Sequence, residues 1–190
     1  MLMLTLLLWQ TVAAPPKPLV DPDAYAVYAA VLPSNWLVRT GHATRLVIQD
    51  TTEIADFAAS HCYPKGADID NGAWTAALDD FKAQNAEPLA LLNQLTLDRP
   101  YELVPGDHLR SFFKTAGVDG WENFMAAYPD ASGYIQLSAV GFDRDKTKAI
   151  VYVAHHCGGL CGKGTYHFLE RQQGQWRQVS PNVQTCMWVS

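Results

Sequence analysis

Hydrophobic positions along this chain change period once, near Gly133. Before it, spacings of three and four residues dominate. Ala24 to Leu32 (AYAVYAAVL) reads as a helix that Asp21 or Asp23 can cap and Pro33 stops. In GAWTAALDDFKAQN, Trp74, Ala77, Leu78 and Phe81 fall on one face, and Asn71 is the candidate cap. HLRSFFKTAG after Asp107 and GWENFMAAY after Asp119 are shorter helices of the same kind. Two runs interrupt them: ATRLVIQDTT, with its β-branched residues, and PYELV, both predicted strands.

After Gly133 apolar and polar residues alternate. YIQLSAVGF, KAIVYVAHH, TYHFLER and QWRQV are separated by DRDKT, CGGLCGKG and QQGQ, all of turn-forming composition, and TCMWVS can add an edge strand. In KAIVYVAHH, Ile150, Tyr152 and Ala154 alternate with Val151 and Val153, so both faces are apolar. That strand belongs in the middle of the sheet, with helices of the first half over one side. The expected fold is therefore α+β, with a helical N-terminal half packed on a C-terminal antiparallel β-meander of four to five strands. Residues 23–190 show no internal repeat and no linker, which predicts a single domain.

The N-terminus adds a compartment. MLMLTLLLWQTVAA is an apolar run ending in Val12-Ala13-Ala14, the small-residue pattern of a signal peptide cleaved after Ala14, and a Pro-rich linker (15–22) follows. The run lacks a preceding Lys or Arg. It is too short to span a bilayer, so no stable membrane anchor is expected, and the mature protein is expected to be periplasmic or secreted. A hydrophobic content of 48%, a charged content of 17% and a net charge of -5 describe an ordinary globular chain. Nucleic acid is excluded as a partner on charge: Lys146, Lys148 and Lys163 form no basic patch.

Candidate chemistry concentrates in HHCGGLCGKGTYHF, His155 to Phe168. A phosphate loop needs four residues between its first Gly and the Gly-Lys pair. Here Gly158 and Gly162 enclose three, Gly164 follows Lys163, and a strand pattern comes next instead of a helix. His155, His156, Cys157, Cys161 and His167 offer zinc ligands, but only one Cys knuckle is present and neighbouring His155 and His156 point to opposite strand faces; no metal and no cofactor is expected. Cys157 beside His156 resembles an activated thiol. In an oxidising compartment, however, Cys157 and Cys161 can close a small ring across the glycines. Four cysteines allow three pairings. Cys157–Cys161 is the local one and leaves Cys62–Cys186. Asp143 to Thr147 imitates a calcium loop but has Lys148 where Gly is required, so it reads as a hairpin turn. Asp79 and Asp80 read as a solvated helix face.

The run GFDRDKTKAIVYVAHHCGGLCGKGTYHFLE, with its Gly-Phe, polar turn, Val-Tyr-Val and C-G-x-L-C-G-x-G elements, resembles a C-terminal pattern of exported bacterial proteins of unknown function. The resemblance covers about a third of the chain. It implies export and a paired-cysteine hairpin, and it carries no activity to any residue. Two functional readings follow. One is a non-catalytic binding or interaction module for a protein or small-molecule partner, with Gly158, Gly159, Gly162, Lys163 and the three histidines as the candidate binding loop. The other is a small extracytoplasmic hydrolase in which His155, His156 or His167 meets Glu170 or Asp143. Tyr63, Trp121 and Trp188 are the aromatic residues expected at any exposed groove.

Loop length separates the two expected bridges. In the chain-entropy model, closing five residues at Cys157–Cys161 is worth about 2 kcal/mol and closing the long loop at Cys62–Cys186 about 5 kcal/mol. Thermal melts should therefore place the Cys62→Ser/Cys186→Ser protein well below the Cys157→Ser/Cys161→Ser protein.

Overall fold

A computed structural model describes residues 14–32, 43–53, 63–114, 119–185 and 187–189. Five helices occur among them: α1 (Pro22–Val31), α2 (Ala67–Asp70), α3 (Thr75–Gln84), α4 (Gly106–Ser111) and α5 (Gly120–Ala127). The strands are β1 (Lys17–Pro18), β2 (Leu46–Gln49), β3 (Leu89–Ala90), β4 (Tyr101–Val104), β5 (Tyr134–Leu137), β6 (Gly141–Phe142), β7 (Lys148–Gly158), β8 (Cys161–Gln172), β9 (Gln175–Val179) and β10 (Trp188–Val189). The main sheet has the order β10-β8-β7-β5-β2-β4, with β6 beside β7 and β9 beside β8. Residues 1–13 of the expected signal peptide (1–14) and both Cys62 and Cys186 lie outside the described residues.

The mixed α+β class is as expected, and most strands lie in the C-terminal half, where β5 to β10 pair antiparallel. The N-terminal half is not a helical layer, however. It contributes β2 and β4 to the same sheet, and both run parallel to each other, with β5 parallel to β2 on its other side. The reason is visible in Leu46 to Gln49, all four of them buried. A strand buried on both faces needs neighbours on both edges, and a parallel arrangement supplies them.

β7 is the centre, and its two apolar faces are both covered. Ala149, Val151 and Val153 join α1 residues Tyr28 and Val31, with Leu169 and Trp176, in one core. Ile150, Tyr152 and Ala154 join Trp74, Ala77, Leu78 and Phe81 of the α3 region, with Tyr166 and Phe168, in a second. α4 and α5 cover Val47 and Val104 on that same second face with Leu109, Phe124 and Tyr128. The expectation of helices on one side is thus corrected, because a strand apolar on both faces leaves neither exposed to water.

Local sequence explains the boundaries. Asp21 Oδ1 accepts from Asp23 N at 3.0 Å and Asp119 Oδ1 from Trp121 N at 2.9 Å, two of the expected caps. Asn71 instead accepts from Ala73 N (2.9 Å) in the turn between α2 and α3, and Asp107 lies inside α4, where it binds Arg110 (3.1 Å). YIQLSAVGF is split into β5 and β6 because Ser138 Oγ takes the place of a backbone acceptor for Tyr152 N (2.8 Å), while Asn85 holds both the N–H and the C=O of Ala139. Asp143 closes the expected hairpin turn, accepting from Thr147 N and Lys148 N at 2.6 and 2.8 Å. Asp79 is exposed, but Asp80 is not merely solvated: its Oδ2 accepts from Phe142 N at 2.8 Å.

α1 is tied to the far end of the chain. Tyr28 donates to Ser138 O (2.8 Å), Lys146 bridges Asp21 and Asp23 (2.8 and 3.3 Å), Arg171 reaches Asp23 (2.6 Å), and Gln178 donates to Ala30 O (3.3 Å).

α3 approaches the sheet closely enough that β6 needs glycine. A Cβ at Gly141 would collide with the Phe81 backbone, whereas one at Gly159 would meet nothing. Gly141→Ala should therefore cost about 2–3 kcal/mol in urea denaturation through overpacking, and Gly159→Ala should stay within about 0.5 kcal/mol of the parent.

Candidate functional site

The hairpin of β7 and β8 ends in a disulfide between Cys157 and Cys161, with a Cα–Cα distance of 5.0 Å. The pair faces across the strand ends, Gly158 opposite Cys161, so the turn is only Gly159 and Leu160. Gly158 takes φ +150°, a conformation suited to glycine, and Leu160 is 93% exposed. Gly162 lies buried opposite His156, and Lys163 stands opposite His155.

The three histidines do not converge. His155 and His156 face opposite sides of β7, as expected from their adjacency. His155 is buried and hydrogen-bonds the Ser132 backbone. His167 pairs with Val151, four residues along β7 from His155, which is about 13 Å of strand. Its Nδ1 lies 2.8 Å from Gln178 Oε1, and Gln178 Nε2 donates to Ala30 O; this orients the amide so that His167 donates from Nδ1 and carries its lone pair on Nε2, a buried atom with no partner among the described residues. Neither expected carboxylate meets a histidine: Asp143 is spent on its turn, and Glu170 stands in register between Lys148 and Arg177.

His156 leads elsewhere. Its ring stacks on Tyr134 (4.7 Å between centroids), which stacks in turn on Trp121 (5.9 Å), and Trp188 lies 5.2 Å from the other side. Trp121 and Trp188, expected at a groove, thus belong to one partly buried row of rings, which Phe113 continues beyond Trp121 at 4.9 Å. His156 Nε2 is 2.7 Å from Gln136 Oε1 and is the donor there, because Gln136 Nε2 donates to Gln49 Oε1 (3.0 Å) and Glu53 Oε2 (3.2 Å). Gln49 Nε2 donates to the same Glu53 oxygen at 2.6 Å and to Thr51 Oγ1 at 3.1 Å. Every step of this chain points toward Glu53. Gln49 and Gln136 are buried on the sheet, in adjacent strands β2 and β5.

Glu53 opens onto a cleft of about 410 Å³ whose lining includes Gln49, Thr51, Thr52, Tyr63, Glu87 and Arg110. It sits beyond the C-terminal ends of β2 and β4, where backbone groups and loop side chains of parallel strands converge on ligands. Thr52 fixes the rim by accepting Leu89 N at 2.9 Å, and Glu53 N donates to Leu137 O at 2.8 Å. Arg110 stands 3.7 Å from Glu53 Oε2 and donates to Asp107 from its other nitrogen. The Cys157–Cys161 tip is at the opposite end of the sheet, beside the N-terminal end of β5. The expected binding loop therefore does not line this cleft. Glu53, Arg110 and the two glutamines escaped sequence reasoning because Gln136 lies 83 and 87 residues from Glu53 and Gln49, Arg110 is equally remote from local pattern, and the four carry no spacing motif.

Searches of protein-family models, curated proteins and solved structures find no match to this chain. Among the described residues no cluster of three His, Cys, Asp or Glu side chains is placed to hold a metal, and no helix is long and apolar enough to cross a membrane.

Burial pushes His155 down to about 4, the Ser132 backbone opposing it, and burial with the neighbouring His155 pushes His156 to about 4, against an ordinary 6.5. The unfolded chain takes up protons at these sites from pH 6.5 downward and the folded chain only near 4. Stability is therefore full above 6.5 and lost as the pH falls through that window, on the order of 3 kcal/mol for each histidine. Urea midpoints should drop between pH 7 and 4, and His155→Phe, which keeps the bulk and removes the charge, should flatten the curve.

Proposed function

We propose that the protein is an exported, disulfide-stapled binding module without catalytic chemistry, and that it takes a small polar ligand in the cleft at Glu53 and Arg110. The observation that carries this reading is the carboxylate itself: Glu53 is fixed by two amide donors supplied from buried strand positions, an investment of buried polar groups that a solvated surface glutamate does not need. Preorganised polar groups at the ends of parallel strands are what ligand recognition uses. Export is supported by the apolar N-terminal run, by the hairpin disulfide and by the resemblance of the run Gly141–Glu170 to exported proteins. The hydrolase reading finds less support, because His156 is related to the Glu53 carboxylate only through the Gln136 amide. In this account the hairpin disulfide holds His156 in register with Tyr134 and acts at a distance from the ligand.

Amide chemical shifts of the labelled protein, recorded against a library of polar small molecules, test the proposal. Perturbations are expected at 49–53 and 106–110 with the compound left chemically unchanged. Perturbations confined to 158–163 would move the site to the hairpin, and turnover of a bound compound would restore the hydrolase.

A further inference from the structure

We infer that the ligand of this cleft is a free α-amino acid with a basic side chain, its ammonium on Glu53, its carboxylate on Arg110 and its side-chain cation toward Glu87. The inference rests on the binding reading above and narrows it to a chemical class.

The charges at the cleft are arranged as a separated pair. Glu53 is held from behind by Gln49 and Gln136, both on Oε2, which leaves Oε1 to accept from a ligand. Arg110 is held by Asp107. The two opposite charges consequently face one another at 3.7 Å, too far for a hydrogen bond. A ligand that satisfies both must carry a cation and an anion at similarly close spacing. In an α-amino acid the nitrogen and the carboxyl carbon are about 2.5 Å apart, as bonds of 1.46 and 1.52 Å at an angle near 111° require. Such a head group laid antiparallel to the Glu53–Arg110 pair gives each charge a charge-assisted hydrogen bond. A sugar would bring no anion to the Arg110 nitrogen that faces Glu53, and a phosphate would sit against Glu53.

Charge balance sets the side chain. Among the described lining residues Glu53 and Glu87 against Arg110 leave one net negative charge. A neutral amino acid preserves that excess, whereas a basic one cancels it. Tyr63 and Pro88, also in the lining, offer apolar surface for the methylenes of such a side chain.

Calorimetric titration of the full chain with L-lysine tests the assignment, with Nα-acetyl-lysine, lysine methyl ester and norleucine as comparisons. Binding should weaken at least tenfold on acetylation and on esterification, because each modification removes the ligand charge that makes the hydrogen bond to Glu53 or Arg110 a charge-assisted one. Norleucine should bind several-fold more weakly than lysine. Arg110→Met should abolish discrimination between lysine and its ester, and Glu87→Gln should bring lysine and norleucine to equal affinity. Both positions are on the cleft rim and leave the Gln49–Gln136 pair intact, so folded variants are expected. Equal binding of lysine, its ester and its acetyl derivative, or no binding of lysine, overturns the amino-acid assignment. If other library compounds still shift the resonances of 49–53, the binding function survives without it; if none does, both fall together.

Discussion

Strand β7 has no polar face between Ala149 and Ala154, and each of these residues is buried. A strand of this kind must be covered on both sides and paired on both edges. The rest of the architecture answers that requirement. α1 closes one face and α3 the other, β8 takes one edge, and β5 with β6 takes the other. Because β5 is then itself a central strand, its outer edge needs a partner as well, which β2 supplies in parallel. The crevice at Glu53 exists because β2 and β4 end together at that side of the sheet.

The sequence made some of this plain. Alternation in KAIVYVAHH marked β7 as central, and the three- and four-residue spacing of Trp74, Ala77, Leu78 and Phe81 marked the face of α3 that reaches it. The Gly-Gly-Leu turn between two cysteines marked the hairpin tip. Leu46 to Gln49 was legible as a strand but its sheet partners were not, since a parallel pairing with Tyr101–Val104 spans more than fifty residues and leaves no local pattern. Caps were legible where the acidic residue directly precedes the helix, as at Asp21 and Asp119. They misled where a turn intervenes, as at Asn71.

The site was the least legible part. In YIQLS the glutamine occupies a position that alternation assigns to a polar face, and the natural expectation for such a face is water. Alternation reports which side a residue points to, and says nothing of what lies on that side. Gln136 is in fact covered, and it finds Gln49 and Glu53 from a neighbouring strand. Two buried amides facing each other satisfy one another only in one relative orientation, so their pairing fixes the register of β2 on β5 as firmly as the apolar packing does.

The anchoring of α1 has a consequence for how the chain comes to be folded. Its inner face packs on Val151, Leu169 and Trp176, and its polar groups meet Lys146, Arg171 and Gln178. A ten-residue helix is marginal in water without such packing. α1 thus waits for contacts that lie more than a hundred residues downstream, and long-range closure of that kind slows folding. α1 can be fixed in place only after β7, β8 and β9 exist to receive it, so this core is completed late in the making of the chain whatever the local helix preference of its first members.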